Sequence, residues 1–284
     1  MESVRIKSYA KLNLTLSITG VADGYHTIDS LVTSVDLYDL IVLKKRTDKQ
    51  VTITMHGCGS EGIPYESNNA VKAAQYFIEA YDTYGADITV YKNIPMGAGL
   101  GGSSADSAGV LNGLEKLYGT RDLAGKKLLA DRTGSDTRYM LSGGYARLTG
   151  RGNEVTPIES DLKLNYLLLA PETEVSSAQC YKTYDEMGGG DGDTQKALSA
   201  LLNGDREALA KNLCNDLAPA AKQLTKEVVV AFDELASFAP LAVNMTGSGS
   251  GVYALFDSPE LRAYAKSRYR GKFRTIELKT YIPK

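Results

Sequence analysis

Apolar and polar residues alternate along the first segment of the chain that has the pattern of a β-strand, residues 4–18. Successive side chains of a strand point to opposite faces, so one face of this strand is predicted to be buried. The residues on that face are Leu12, Leu14, Leu16 and Ile18. Lys11 and Asn13 fall on the other face. A lysine there is ordinarily solvated, and a functional lysine is the alternative.

Similar patterns divide the rest of the chain into strands and helices. The predicted strands lie within 39–45, 51–57, 86–95, 143–158, 164–171, 241–257 and 273–282. The predicted helices lie at 68–85, 103–118 and 123–133, in several pieces after the glycine loop 187–193 through about residue 238, and at 258–269. Strands and helices mix without strict alternation, which predicts an α+β protein of two lobes. The pattern of residues along the sequence changes near residue 155, so we predict one domain at 1–155 and a second at 156–284.

Composition narrows the classes of function. The 284 residues are 43% apolar and carry a formal net charge of −2, so no broadly basic surface is expected for nucleic acid or membrane. No window is apolar enough to span a bilayer, and the N-terminal segment lacks the core of a signal peptide. These features predict a soluble cytoplasmic protein. Composition leaves open whether it is a monomer or homodimer, and a small-molecule substrate is the expectation that the motifs below support.

Cysteine and histidine give no sign of a metal site. Cys58, Cys180 and Cys214 are odd in number and widely spaced, which predicts three reduced thiols. His26 and His56 are too few for a multi-histidine site.

The stretch "PMGAGLGGSSADSAG", residues 95–109, joins a predicted strand to a predicted helix. Its glycines allow backbone N–H groups to close around an oxyanion, and the following helix N-terminus adds unsatisfied donors. We therefore predict a phosphate-binding loop, and the alternative is a mobile glycine turn. The predicted phosphate-binding residues, which we name the ATP loop, are Pro95, Met96, Gly97, Ala98, Gly99, Leu100, Gly101, Gly102, Ser103, Ser104 and Ala105.

Two further stretches carry candidate chemistry. "DGYH" is predicted to be a turn that presents Tyr25 and His26 together, fit for stacking on and hydrogen bonding to a planar ring. "TGSDTR" places Asp136 after a helix and a glycine, where a carboxylate can face a cleft. An ordinary turn and a helix N-cap are the respective alternatives.

Together these motifs resemble the GHMP kinase superfamily, and within it the 4-diphosphocytidyl-2-C-methyl-D-erythritol kinase family. The resemblance rests on "AKLNLTLSITGVADGYHTIDSL", "KNIPMGAGLGGSSADSAGVLNGL", "GSDTRYMLSGGYARLTGRGNEV" and "NMTGSGSGVYALF". It implies a two-lobed fold with an N-terminal ATP-binding lobe and a C-terminal ferredoxin-like α/β-plait lobe. Where the family usually has Val-Pro-Phe after the acid, this chain has Thr137, Arg138 and Tyr139.

The resemblance also implies a reaction: ATP-dependent phosphorylation of the 2-hydroxyl of the cytidylated methylerythritol in the non-mevalonate isoprenoid pathway. Asp136 would be the catalytic base, and Lys11 would keep it ionised and neutralise charge on the γ-phosphate. The ATP loop would hold ATP, with Mg²⁺ bridging its phosphates and Ser104 as a metal contact. The residues implied to bind the substrate are Asn13, Tyr25, His26, Tyr181, Gly247 and Gly249.

Two alternatives stay open. A GHMP kinase of another small alcohol would share the ATP loop, although "DGYH" argues against it. A catalytically silent nucleotide-binding paralogue is the other, supported by the altered segment beside Asp136. Arg138, within that segment, has three alternatives of its own. Its side chain faces solvent, contacts a substrate phosphate, or pairs with Asp136 and weakens it as a base.

Overall fold

The structure is a computed structural model that describes residues 2–57 and 63–283; Cys58 lies outside the described residues. The strands are β1 (Ser3–Asn13), β2 (Thr15–Ala22), β3 (Tyr25–Lys45), β4 (Val51–Gly57), β5 (Ala86–Lys92), β6 (Tyr145–Thr149), β7 (Glu154–Ile158), β8 (Asn165–Ala170), β9 (Cys214–Asn215), β10 (Ala242–Met245), β11 (Val252–Phe256) and β12 (Arg274–Lys279). The helices are α1 (Asn69–Tyr81), α2 (Gly102–Tyr118), α3 (Leu123–Asp131), α4 (Thr137–Met140), α5 (Ser177–Met187), α6 (Thr194–Leu202), α7 (Arg206–Lys211), α8 (Ala218–Leu224), α9 (Lys226–Ala236) and α10 (Pro259–Arg268).

The α+β class is confirmed, and most predicted elements occur where the pattern indicated. Helix α1 begins at its predicted asparagine cap, where the side chain of Asn68 accepts a hydrogen bond from Ala70 N (2.9 Å). It ends at Tyr81 rather than near Gly85, because Asp82 adopts a left-handed conformation that stops the helix. The first predicted strand is two strands, β1 and β2, separated at Leu14.

The predicted "DGYH" turn is shorter than expected. Asp23 and Gly24 alone form the turn, with φ angles of 52° and 77°, and Tyr25 and His26 already pair with Ala22 and Val21 of β2. A two-residue connection with positive φ at both positions matches the twist of a hairpin. Tyr25 and His26 are therefore neighbours within a strand.

The described chain divides into two compact units. Unit 1 comprises Met1–Ala10, Leu37–Pro95 and Gly101–Gly143, and unit 2 comprises Lys11–Asp36, Met96–Leu100 and Gly144–Lys284. The predicted boundary near residue 155 stays a prediction.

Unit 1 is built on β5, which pairs in parallel with β4 and antiparallel with the end of β3, Leu40 lying opposite Tyr91. Helices α1, α2 and α3 supply the other side of an apolar core. The residues of that core include Ile41, Leu43, Phe77, Ile88, Val90, Leu111 and Leu114. Burial of these side chains fixes the end of β5 against α2, the two elements that flank the ATP loop.

Unit 2 contains a four-stranded antiparallel sheet in the order β10-β11-β8-β12. The inner strand β8 is buried from Tyr166 to Ala170 and is mostly apolar there, as expected for a strand covered on both faces. The unit also holds the β2–β3 hairpin, the antiparallel β6–β7 pair and the short β9, which runs parallel to β2. Its core includes Leu16, Leu167, Leu169, Val228, Leu235, Met245, Val252 and Phe256.

Unit 1 also buries a charged cluster that the sequence pattern did not indicate. Lys92 Nζ donates to a carboxylate oxygen of Asp39 and to Asp106 Oδ2, the latter at 2.6 Å. Side-chain exposure is 3% for Lys92, zero for Asp39 and 7% for Asp106. Asp106 Oδ1 is buried and has no hydrogen-bond partner within residues 2–57 and 63–283. Burial, opposed by Lys92, raises the pKa of the Asp106 carboxyl from 3.8 to about 7.

Among the described residues, no helix combines the length and apolarity that crossing a bilayer requires.

Substituting Asp106 with asparagine should reveal its raised pKa as a change in stability with pH. The folded protein holds this proton more tightly than the unfolded chain, so the wild type loses stability as the pH rises from about 4 towards 7. Asp106→Asn lacks that loss. Its free energy of unfolding minus that of the wild type should therefore increase between pH 4.5 and 7.5, at up to ~1.4 kcal/mol per pH unit. Urea unfolding at both pH values measures it.

Asp87→Asn is the matched control. Hydrogen bonding to Arg46 lowers the pKa of Asp87, so its contribution changes only below the ordinary value of 3.8. Its stability difference should stay constant over the same window. An equally constant difference for Asp106→Asn would contradict the raised pKa.

Candidate active site

The N-terminus of α2 carries neither a capping side chain nor an acidic first turn. Gly101 occupies the N-cap position with a φ of 73°, a conformation that L side chains rarely adopt, and no side-chain hydrogen bond caps the helix. The first turn, which starts at Gly102, contains no acidic residue. The first backbone N–H groups of a helix have no intrahelical acceptor, so this end offers donors and a partial positive charge.

The two serines of the ATP loop differ in their surroundings. Ser103 Oγ accepts a hydrogen bond from Asn69 Nδ2 (2.9 Å) at the start of α1. Ser104 Oγ lies against the turn before α4, because a Cβ placed on Gly134 would be only 2.9 Å from it. Beside the same point lies Thr137 Oγ1, which is buried without a hydrogen-bond partner among the described residues. Unit 1 therefore brings Ser104 close to the turn that carries Asp136.

Asp136 stands at the first position before α4, and its side chain makes no capping hydrogen bond there. The N-cap alternative is thus not realised by the carboxylate. Arg138, two residues later, donates from Nε to Asp131 Oδ1 (2.8 Å) and from Nη2 to Asp131 Oδ2. This bidentate pair joins α4 to the end of α3. Arg138 therefore does not face solvent without a partner.

In unit 2, Lys11 is 4% exposed and Asn13 is 3% exposed, which excludes the solvated lysine. Lys11 Nζ donates to Asn13 Oδ1, which also accepts from Gly247 N (2.9 Å). Asn13 Nδ2 donates to Ser30 Oγ (2.8 Å). Asn13 therefore holds both the ammonium group of Lys11 and Gly247, which lies in the loop between β10 and β11, the second glycine-rich loop. A direct contact between Asn13 and substrate hydroxyls stays a prediction.

The middle of the ATP loop packs against the loop between β10 and β11. A Cβ on Gly99 would lie 2.0 Å from Thr246 O, so only glycine fits there. Thr246 Oγ1 lies within hydrogen-bonding distance of Gly99 O (3.0 Å), and Ser250 N donates to Gly97 O (3.0 Å). Part of the glycine pattern thus serves contact between two stretches of backbone.

The other residues of this segment alternate between the core and the surface. Ala98 and Leu100 are buried, and Met96 is 40% exposed. Leu100 O accepts a hydrogen bond from Lys11 N (3.1 Å). The segment is therefore tied to the strand that carries Lys11, which argues against the mobile glycine turn.

Asn215 holds the loop between β10 and β11. Its Nδ2 donates to Met245 O (2.8 Å) and Gly247 O (2.9 Å). Inside the loop, Gly249 N donates to Thr246 O (3.1 Å), which closes a tight turn. Gly247 and Gly249, both predicted to contact substrate, thus sit in a loop whose shape is fixed by protein hydrogen bonds.

The residues predicted to bind cytidine are separated by the strand. Consecutive side chains of a strand project to opposite faces, so Tyr25 and His26 do not share one. The His26 ring stacks on Tyr181 with centroids 4.7 Å apart, and His26 Nε2 lies 2.7 Å from Asp185 Oδ1. Tyr25 is 55% exposed, and the guanidinium carbon of Arg151 lies 3.6 Å from its ring centroid.

Several residues that shape the site were not predicted from sequence. Asp185 had a local signal, since it lies one helical turn after Tyr181 on the same face of α5. Asn215, Ser30 and Arg151 had none, because their partners are distant in sequence.

Family comparison identifies the chain. A description of the GHMP kinases N terminal domain matches residues 68–138, and one of the GHMP kinases C terminal domain matches residues 197–274, together more than half of the chain. The chain belongs to the GHMP kinase family. This small-molecule kinase therefore uses ATP as its phosphate donor.

Relatives of the kinase agree over nearly its whole length. It is 33% identical to a 4-diphosphocytidyl-2-C-methyl-D-erythritol kinase of Caldanaerobacter subterraneus subsp. tengcongensis, covering 99% of this chain and 98% of the relative. It is 36% identical to a protein of the same name from Caldicellulosiruptor saccharolyticus, with 88% and 87% covered. A crystal structure of 4-(cytidine 5'-diphospho)-2C-methyl-D-erythritol kinase superposes with a TM-score of 0.80 at 28% identity, covering 97% and 98%. The predicted fold is confirmed.

Arg138→Ala should leave catalysis nearly unchanged. Its partner is Asp131, and a partly exposed pair of this kind contributes ~0.5–1 kcal/mol to stability. We expect kcat and both KM values to stay within about twofold of the wild type, and urea unfolding to show a small loss. A selective rise of the KM for the phosphate acceptor would instead support a phosphate contact.

Gly101→Val should weaken ATP binding. A β-branched residue at a φ of 73° costs ~1–2 kcal/mol and obstructs the helix N-terminus. The strain should appear as a loss of stability, and we expect the Kd for ATP to rise at least ~10-fold because the side chain obstructs the N–H groups proposed to hold phosphate. Calorimetric titration measures it. Gly119→Val, at the far end of α2 with a φ of 71°, is the control for backbone strain alone. An equal loss of ATP affinity in both variants would contradict the phosphate role.

Proposed function

We propose that the kinase transfers the γ-phosphoryl group of ATP to the 2-hydroxyl of 4-diphosphocytidyl-2-C-methyl-D-erythritol, a step of the non-mevalonate isoprenoid pathway. The observation that carries this proposal is identity above 30%, over nearly the full chain, to relatives that bear the name of this activity. The uncapped N-terminus of α2 supports it, since a phosphoryl donor needs an anion site. The proposed location of the reaction is the cytoplasm.

Asp136 is the proposed catalytic base. The acceptor is a tertiary alcohol, which is crowded and weakly acidic, so a carboxylate that takes its proton accelerates attack by roughly 10²–10⁴-fold. The carboxylate of Asp136 does not cap α4. The guanidinium of Arg138 is bound to Asp131.

Lys11 is the proposed source of positive charge at the transferred group. Phosphoryl transfer depends on positioning and charge stabilisation more than on covalent chemistry. A buried ammonium held by Asn13 is already oriented, so little reorganisation is needed when charge develops on the phosphate. Asn13 would thus act both through Lys11 and on the substrate hydroxyls.

The ATP loop is proposed to hold the phosphates through backbone N–H groups. No three His, Cys, Asp or Glu side chains gather as a metal site within residues 2–57 and 63–283. Mg²⁺ is commonly held by substrate phosphates with few protein ligands, so we propose that the ATP phosphates would carry it here. Ser104 would be a hydroxyl contact, beside the buried Thr137 Oγ1. When bound, Mg²⁺ would neutralise phosphate charge.

Tyr25, His26 and Tyr181 are the proposed contacts for the cytosine ring. The exposed Tyr25 ring offers a stacking surface, and the ring nitrogens of His26 can donate or accept hydrogen bonds at a pyrimidine edge. Gly247 and Gly249 would let the second glycine-rich loop approach the diphosphate linkage.

A coupled assay of ADP release tests the function. The kinase should turn over with the cytidylated methylerythritol and ATP, and not with mevalonate, homoserine or galactose. Turnover with one of those alcohols instead would favour a GHMP kinase of another substrate. Binding of ATP without turnover of any of them would favour the silent paralogue.

Asp136→Asn should nearly abolish turnover while ATP binding stays close to the wild type. The amide keeps the shape of the side chain and cannot accept the proton, so we expect kcat to fall by ~10²–10⁴-fold. The ADP-release assay and calorimetric titration with ATP are the two measurements.

Asp131→Asn is the control for loss of a carboxylate nearby, since it removes the partner of Arg138 and leaves the base intact. A kcat for Asp136→Asn within a few-fold of the wild type would rule it out as the base.

A further inference from the structure

We propose that Lys92, Asp39 and Asp106 are positioning residues that hold the two ends of the ATP loop at the spacing that its phosphate contacts require. The proposal rests on the proposed function, in that it assumes that the loop binds ATP. It assigns a role to the buried charged cluster of unit 1.

The cluster grips the chain on the N-terminal side of the loop. Asp39 Oδ1 accepts hydrogen bonds from Asn93 N (2.6 Å) and Ile94 N (2.9 Å), the last two residues before Pro95. Two charge-assisted bonds to consecutive backbone N–H groups fix the direction in which the chain leaves β5.

The same cluster grips the chain directly after the loop. Asp106 is the residue that follows Ala105, and Lys92 Nζ donates to it at 2.6 Å while also donating to Asp39. Gly102 lies against this linkage, since a Cβ placed on it would be 3.6 Å from Lys92 Nζ and 3.2 Å from Ile94 Cγ2. One ammonium group thus joins the end of β5 to the first turns of α2.

Stability alone is a poor explanation for this cluster. Burying an ion pair costs desolvation that its attraction often fails to recover, and apolar replacements of similar volume are frequently as stable. Here two carboxylates share one lysine, and no described residue hydrogen bonds to Asp106 Oδ1. An arrangement that costs free energy of desolvation, and that links the two ends of the ATP loop, indicates a role in the geometry of that loop.

A second buried lysine of unit 1 provides a matched control. Lys126 of α3 donates to Asn112 Oδ1 (3.0 Å) and Glu115 Oε2 (2.5 Å), both in the middle of α2. The exposed fraction of the whole residue is 7% for Lys126 and 5% for Lys92. Lys126 therefore braces the same helix without touching the ends of the loop.

The experiment compares Lys92→Met/Asp106→Leu with Lys126→Met. The double variant replaces the lysine and its unsatisfied partner by apolar groups and leaves Asp39 with its two backbone donors. Calorimetric titration with the ATP analogue AMP-PNP and MgCl₂ measures the donor site, and titration with CDP measures the acceptor end. Thermal unfolding measures stability.

We expect the double variant to bind AMP-PNP at least ~10-fold more weakly, because small misplacements of positioning groups are costly. Its Kd for CDP should stay within about twofold of the wild type, and Lys126→Met should change neither Kd by more than that. Should the double variant not fold, Asp106→Asn, which weakens only the link to α2, should raise the Kd for AMP-PNP selectively.

Unchanged AMP-PNP affinity in the folded double variant, or in Asp106→Asn where the double variant does not fold, would overturn the positioning role. Equal weakening in Lys126→Met would also overturn it, because general loosening of α2 would then suffice. Failure of the wild type to bind AMP-PNP would contradict the proposed function itself, which keeps the two failures distinct.

Discussion

The contact on which the rest of the site depends is the approach of two stretches of backbone in unit 2. Gly99 lies so close to the carbonyl of Thr246 that no Cβ fits between them. This approach allows Asn13 to reach Gly247 with the same oxygen that accepts from Lys11. The position of the proposed cationic group and the shapes of both glycine-rich loops therefore follow from one steric requirement.

The elements of the fold were largely predictable, because periodic apolar positions and caps are local properties of the sequence. The length of β3 was not, since residues 25–38 carry polar positions that interrupt the apolar pattern. Some of these polar residues are buried because they hydrogen bond within the unit, as Ser30 does with Asn13 and with Thr15 O (2.5 Å). A pattern of hydrophobicity cannot distinguish a buried polar residue with partners from an exposed one.

The candidate site was predicted at the level of motifs and less well at the level of partners. The loop, the lysine and the acid were found because their residue types stand at junctions between elements. The partner of Arg138 was not foreseen, since Asp131 becomes adjacent only through the angle between α3 and α4. The cluster around Lys92 was not predicted either, because Asp39 is 53 positions away in sequence.

The stack of His26 on Tyr181 has a consequence for how tightly any cytidine nucleotide can bind. Centroids 4.7 Å apart leave no room for a third ring, which needs roughly twice the ordinary stacking distance. A pyrimidine that sandwiches against Tyr181 must first displace the imidazole and its hydrogen bond to Asp185. The apparent dissociation constant would then equal the intrinsic dissociation constant divided by the fraction of molecules with the rings apart. At such a site, a nucleobase that could not replace both lost contacts would bind more weakly.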